Sequence, residues 1–443
     1  MSGKNSAPAQ PKPRLILFAF GDFGFNLYWQ SLSLFLLFYY TETLGVSIAA
    51  AAAVYMLASV FDGFSGFAIG LWIDRRARPE EHRRMLIRAA FPLALAFMLA
   101  YAPAAHCGRA GLVFLFASQL LLRLSYGFAN LHYLAMTARV SLNQRDRSLV
   151  AGLRMVFGAL AAILVSLTMR PLGIALTGSE QLAHFSAAAV YAVAATAVII
   201  LVGATFKDAS GGGEGSPAET GGRRSVMALL HAVAANRSFL SVAAAMMAMI
   251  ISVTMVSKLV LYYFKYGMSD TRAGELALAD MVLVGLIAVP IWMLVERRIG
   301  TRRTWGCASA LALVLLAGLT FAGARNAGAS HFFLVAFQAA VMGVDFSLWA
   351  LLPATVDAGP RPSGARAEAT LFGLVEMLQR ISIGVATGLA GLTLGFAGLK
   401  PGEPLTEASS LALRLQISVV PLVFLAASAL LILRRKDVQP RRR

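Results

Sequence analysis

Asp22, Asp62, Arg123, Arg154, Lys258, Asp280, Asp345, Glu376 and Arg380 stand in stretches of chain that are otherwise almost wholly apolar. An ionisable group at the centre of a membrane helix costs about 2.5–3.5 kcal/mol on insertion scales. A set this large left unpaired would outweigh the net stability of an ordinary fold. The acids and bases are close to balance, so they are expected to pair or to line a polar cavity between two halves of the chain. For any one of them, an ion pair that only locks helices together is as good a reading as a functional one.

Helical spacing groups these residues, because positions three, four or seven apart share a face. Asp22, Asn26 and Trp29 form one stripe, Arg123, Tyr126 and Asn130 another. Asp62 shares a face with Ser65 and Gly66, and Glu376 and Arg380 lie one turn apart, as solute ligands or as an intrahelical salt bridge. Polar stripes with aromatic members suit a solute with hydroxyl or charged groups: hydrogen bonds orient it while a ring covers its apolar side. Gly63, Gly66 and Gly70, and later Gly384, Gly388, Gly391 and Gly395, read as positions where another helix approaches closely. His132 and His184 are isolated and read as structural. Cys107 and Cys307 offer neither a disulfide framework nor metal-ligand spacing, so no metal and no cofactor are expected.

The elements that position these side chains follow from composition. The 443 residues are 58% hydrophobic and 14% charged, with mean hydropathy +0.70, far too apolar for a soluble domain. A helix crosses the bilayer core with roughly 20 apolar residues, and twelve such runs can be drawn along the chain. The first run is too long for a signal-peptide core and reads as a retained anchor.

The formal charge of +17 could suggest a nucleic-acid partner, but its distribution excludes one. With the N-terminus in the cytoplasm, Arg75, Arg76, Arg78, Arg83, Arg84 and Arg88 fall inside, Arg109 outside, and Arg139, Arg145 and Arg147 inside again. That alternation is the positive-inside pattern. The expected organisation is a cytoplasmic tail over residues 1–14, a six-helix bundle over 15–206, a cytoplasmic linker over 207–237, a second six-helix bundle over 238–433 and a basic cytoplasmic tail over 434–443. The linker begins with Ser210-Gly-Gly-Gly-Glu-Gly-Ser-Pro, a run of flexible-chain residues.

After the second run comes Gly70-x-x-x-Asp74-Arg75-x-x-Arg78, and at the equivalent point of the second half Glu296-Arg297-Arg298-x-Gly300-x-Arg302-Arg303. The first resembles the signature loop of the major facilitator superfamily, where an acid clamps a helix end and arginines sit in the cytoplasmic interface. Further segments are similar to the glycoside-pentoside-hexuronide:cation symporters, the family of the melibiose permease. They are Phe20-Gly-Asp-Phe-Gly, Phe38-Tyr-Tyr-Thr-Glu-Thr-Leu-Gly45, Phe61-Asp62-Gly, Leu261-Tyr-Tyr-Phe-Lys-Tyr266 and Thr355-Val-Asp-Ala-Gly359. The resemblance implies an all-α membrane protein of twelve transmembrane helices in two pseudo-symmetric six-helix bundles, working by alternating access.

Carried over residue by residue, the resemblance makes Asp62 the cation-coupling carboxylate. Gly66 stands where a second acid is expected and Gly127 where a threonine is expected. Na⁺ needs several hard oxygen ligands, so the resemblance points to H⁺ as the coupling ion and away from Na⁺. Asn26 and Asn130 replace the sugar-binding acids of the first and fourth helices, and an amide still hydrogen-bonds a hydroxyl. Arg154 and Arg380 match basic positions of the fifth and eleventh helices; where a lysine becomes arginine, a two-pronged grip on a carboxylate is available.

The expected function is secondary active transport of a small polar solute, a sugar, glycoside or sugar acid, by a monomer in the inner membrane of a bacterium. Both termini are expected in the cytoplasm. An uncoupled carrier, an exporter and a carrier of a lysolipid-like amphiphile stay open. A membrane enzyme or receptor is disfavoured, since no phosphate-binding loop, His-Glu-x-x-His or nucleophile-elbow motif is present in a fitting context.

Overall fold

The computed structural model describes residues 10–76, 81–103, 108–137, 139–141, 143–206, 236–322, 326–357, 365–399 and 406–433, and among them every regular element is helical. The first crossing segment is assembled from pieces: α1 (Lys12–Ala19), α2 (Gly21–Gln30), a π-helical turn at Ser31–Phe35, α3 (Leu36–Phe38) and a second π turn at Tyr39–Thr43. Then follow α4 (Ile48–Arg76), α5 (Glu81–Ala100), α6 (Gly108–Thr137), α7 (Gln144–Thr177), α8 (Glu180–Thr205), α9 (Arg237–Met268) and α10 (Thr271–Ile299). The last four are α11 (Thr301–Ala322), α12 (Ala327–Asp357), α13 (Ala365–Phe396) and α14 (Glu407–Leu433).

Ten of these helices are long and apolar enough to cross a membrane by themselves. The other two crossing segments are the broken Lys12–Thr43 segment and α5, whose first two turns carry Arg83, Arg84 and Arg88. Large apolar side chains such as Phe64, Phe91, Val193, Phe321 and Phe396 are exposed. Lipid is the solvent in which such a surface is stable, since helices satisfy their own backbone polar groups.

Caps and loop glycines set several ends. The Asn143, Asn236 and Asp270 side chains accept from the N–H of Arg145, Phe239 and Ala273 at 2.9, 3.0 and 2.9 Å. Gly300, at φ 82°, makes the turn between α10 and α11. That turn is knitted by Glu296, whose Oε1 accepts from Thr301 Oγ1 at 2.5 Å, so the acid of this loop does clamp a neighbouring helix end. On α5, Arg83 Nε donates to Gly203 O at the end of α8 at 2.9 Å, where a cation also suits the helix dipole.

The chain forms two compact units, one of residues 1–39 and 64–220, the other of residues 40–63 and 221–443. In the first, buried tyrosines hold the broken segment. Tyr28, Tyr39, Tyr101 and Tyr133 donate to the carbonyls of Ala192, Tyr101, Ser31 and Phe18 at 3.1, 2.7, 2.7 and 2.8 Å. A phenol out of reach of water must find such a partner, and the π turn at Ser31 exposes a carbonyl for one of them. His82 and His132 meet through their Nδ1 atoms at 2.8 Å, and His184 is buried against the rings of Phe35 and Tyr39.

In the second unit, residues 40–63 pack on α9 and α13. Thr41 Oγ1 and Tyr262 OH are 2.7 Å apart, Glu42 pairs with Lys265 and accepts from Tyr266 OH at 2.6 Å, and Lys258 Nζ lies 4.1 Å from the Tyr55 ring centre. The first half of α4 touches α13 through glycine. A Cβ at Gly384 would stand 2.7 Å from Ser59 Cβ and 2.9 Å from Met56 O, and one at Gly63 would stand 2.9 Å from Met377 O. Gly66, Gly70 and Gly395 differ from their sequence reading, for an added Cβ there meets nothing within 4 Å. Gly384→Val therefore costs about 1–3 kcal/mol through overpacking, seen as a lower thermal midpoint of the purified protein, while Gly395→Val leaves the midpoint unchanged. Equal midpoints for the two variants would show that this contact is not close.

Candidate solute-binding site

The first unit brings Asp22 of α2 against Arg154 of α7. Arg154 donates from Nε and Nη2 to Asp22 Oδ1 at 3.1 and 2.9 Å. Its Nη1 reaches Thr137 Oγ1 at 3.4 Å, and its guanidinium lies 5.0 Å from the centre of the Tyr133 ring. Asp22 is 17% and Arg154 20% exposed, so the pair is partly open. Asn26, one turn on, donates from Nδ2 to the Asp22 backbone O at 2.9 Å and to Asp22 Oδ2 at 3.3 Å, and Gln30 Nε2 donates to Asn26 Oδ1 at 3.2 Å. The result is a row running from Gln30 through Asn26 and Asp22 to Arg154.

Glycine makes room for this row. A Cβ at Gly158, one turn after Arg154, would stand 3.0 Å from Asn26 Nδ2 and 3.3 Å from Asp22 Oδ2. Aromatic groups flank it: the Trp29 and Tyr126 rings are 5.5 Å apart, and Phe25 meets Tyr126 edge-on at 5.8 Å and stacks on Tyr133 at 5.2 Å. Asn130 is half-buried on α6, and Arg123 is buried on the same helix. Gln30, Tyr133 and Thr137 were not singled out from sequence. Continuing the Asp22–Asn26 stripe by one turn would have found Gln30, and a step of seven from Tyr126 would have found Tyr133.

The second unit holds the other arginine. Arg380 of α13 donates from Nη1 to Asp62 Oδ2 of α4 at 2.7 Å, with Asp62 1% and Arg380 15% exposed. The structure thus joins Arg380 to Asp62, and Glu376 is exposed. Asp280 of α10 pairs with His331 of α12 at 2.8 Å, and Asp345 is half-buried on α12, one turn before Trp349. Gly70, Asp74 and Arg75 lie in the last turns of α4, and nothing of the Asp74 and Arg75 side chains is described. Arg78, Cys107, residues 207–235 and residues 358–359 of the Thr355–Gly359 segment lie outside the described residues. Cys307 is a free, exposed thiol, and no group of three or more metal-ligating side chains occurs among the described residues.

Chemically, Arg154 turns two donors of its planar guanidinium to one oxygen of Asp22, and Arg380 turns Nη1 to Asp62. The Asp22–Arg154 row adds amide donors and acceptors and two aromatic faces, which is the inventory for a polyhydroxylated or anionic small molecule.

Comparison with known proteins agrees with this chemistry. Residues 17–436 match the family described as MFS/sugar transport protein. The isoprimeverose transporter of Lactiplantibacillus pentosus is 24% identical, over 96% of this chain and 89% of that protein. A putative sulfoquinovose importer of Escherichia coli is also 24% identical, over 94% and 88%. Among solved structures, a bacterial homolog of the human lysosomal transporter Spinster, in an inward-facing and occupied conformation, superposes with TM-score 0.70 at 12% identity, over 96% of this chain and 97% of that one. The all-helical, twelve-segment fold is therefore that of the major facilitator superfamily. With residues 17–436 matched and Asp22, Asp62 and Asp280 paired with Arg154, Arg380 and His331 inside apolar helices, the chain belongs to the MFS/sugar transport protein family, among the glycoside-pentoside-hexuronide:cation symporters, and is a multi-pass membrane transporter of sugar-like solutes.

Proposed function

We propose that this transporter carries an anionic sugar, of hexuronate type, together with a proton across the cytoplasmic membrane of a bacterium. It works as a monomer with both termini in the cytoplasm, by alternating access of two six-helix bundles, residues 15–206 and 238–433. The observation that carries the solute class is the fork of Arg154 on Asp22, open at about a fifth of its surface and continued by Asn26 and Gln30. A solute carboxylate has the geometry of the Asp22 carboxylate and can take its place, while sugar hydroxyls meet the two amides and the ring face meets Trp29 and Tyr126. The relative named as a sulfoquinovose importer is named for a sugar bearing an acidic group, in line with this class.

Coupling is assigned to Asp62. As a carboxylate it holds Arg380; once protonated it loses the charge that holds the guanidinium, which frees Arg380. Proton and anionic solute then favour the same conformations, as symport requires. Thermal stabilisation of the purified protein by D-glucuronate, against D-glucose at equal concentration, tests the solute class. The expected result is stabilisation by D-glucuronate at concentrations at least tenfold lower. Uptake into proteoliposomes under an inward pH gradient tests coupling, with Asp62→Asn expected to lose accumulation. Preference for the neutral sugar sinks the anion assignment, and full accumulation by Asp62→Asn sinks the proton assignment.

A further inference from the structure

The ion pairs Asp22–Arg154, Asp62–Arg380, Glu42–Lys265, Glu180–Arg170 and Glu275–Arg272 all rest on a lysine or arginine, which keeps its charge across the physiological range. Asp280–His331 differs: its basic partner is the side chain that changes charge between about pH 5 and 8. His331 Nε2 meets Asp280 Oδ2 at 2.8 Å, and the two side chains are 29% and 47% exposed.

The pair does not stand alone on its helix. His331, Gln338 and Asp345 follow one another on α12 at intervals of seven, so they share a face, each about 10 Å further along the axis. All three are half-buried. Polar groups at membrane depth turned to lipid would each carry an insertion cost, whereas a face lining water carries none. The stripe thus gives α12 a polar face suited to water, with Asp280–His331 near one end and Asp345 near the other.

We infer that Asp280 and His331 form a second proton-binding site, separate from Asp62, whose occupancy by one proton decides the charge of α10 and α12 at membrane depth. With the proton on His331 the pair is neutral overall; without it the pair carries one negative charge. A neutral site crosses a low-dielectric barrier at lower cost than a charged one, so the proton favours reorientation. Other titratable groups on the elements packed against the pair are engaged or distant in sequence. Glu275 on α10 is held by Arg272 at 2.8 Å, and Glu296, Arg297 and Arg298 lie at the far end of that helix. On α9, Tyr263 OH is 3.0 Å from Ser330 Oγ, Lys265 pairs with Glu42, Lys258 covers Tyr55, Tyr262 meets Thr41 and Tyr266 donates to Glu42. On α11, Arg302, Arg303 and Cys307 lie in the first two turns and no titratable side chain follows them.

Two measurements test this, and the transport arm alone rests on the function proposed above. In the first, full-length protein labelled in its histidine rings, in lipid nanodiscs, is titrated by NMR from pH 4.5 to 9, the His331 signal being assigned by its loss in His331→Gln. A His331 signal that changes with pH, with a midpoint moved in Asp280→Asn, is expected; a signal unchanged by pH, or a midpoint unmoved by that variant, overturns the site. In the second, proteoliposomes without membrane potential take up D-glucuronate under a gradient of one pH unit. Two protons per solute give accumulation of about 100-fold, one gives about 10-fold. Wild type is expected near the first value, and His331→Lys, which keeps the ion pair but fixes its charge, near the second, with solute exchange across equal pH within twofold of wild type. Equal accumulation by the two proteins, or loss of exchange in His331→Lys, overturns the coupling role. If wild type transports no D-glucuronate, the hexuronate assignment fails and the NMR arm still decides the proton site.

Discussion

Arg154→Ala weakens D-glucuronate binding by at least about 25-fold. Truncating one partner of a charge pair held by hydrogen bonds costs about 2–5 kcal/mol, and each 1.4 kcal/mol is a factor of ten. Arg154→Lys keeps the charge but not the fork, so it is expected to lose about tenfold. Asp22→Asn is the informative contrast. It removes the internal carboxylate that occupies Arg154 Nε and Nη2, so affinity rises severalfold if the solute competes with Asp22 for that guanidinium. Binding by isothermal titration at constant pH reads all three. A pair that only joins α2 to α7 predicts the opposite pattern, with both alanine and asparagine variants losing stability and neither changing affinity more than about threefold in the folded fraction.

Arg380→Ala is expected to be the most destabilising single charge change in the second unit. It leaves the carboxylate of Asp62, 1% exposed, without its guanidinium, and breaking a buried pair by removing one partner costs about 3–5 kcal/mol. The double variant Asp62→Asn with Arg380→Gln removes both charges together and recovers most of that loss, since the cost lies in the stranded charge more than in the missing bond. Recovery of stability does not bring recovery of function: the double variant lacks the Asp62 proton carrier and the second guanidinium, so pH-driven accumulation stays well below wild type. Thermal midpoints of the four corners of this cycle, read beside uptake, separate the two roles. Midpoints that simply add, with no coupling between the positions, would show that the pair is not formed in the membrane.

Much of this was readable in the amino-acid chain. Apolar runs of bilayer length, arginines confined to alternate loops and the short Tyr-Tyr and Gly-Asp segments pointed to a twelve-segment carrier, because membrane crossing is governed by one-dimensional properties, length and hydropathy. The helical stripe of Asp22 and Asn26 was also legible, for it depends only on the 3.6-residue period of one helix. The breaks in the first segment were not legible. The first of its π turns begins where Tyr101 donates to the Ser31 carbonyl, a contact made 70 residues away.

The partners of the charges belong to the same class. The chain determined by itself that the acids and bases inside the membrane must be neutralised, because an isolated charge in hydrocarbon is too costly to leave. It did not determine how. Glu376 is one turn from Arg380 and was an equal candidate, yet Arg380 reaches Asp62, because glycines at 63 and 384 let α4 and α13 approach within side-chain reach. Likewise Asp280 and His331, 51 residues apart, carry no mutual signal in the sequence, since periodicity relates residues within a helix and only packing relates one helix to another.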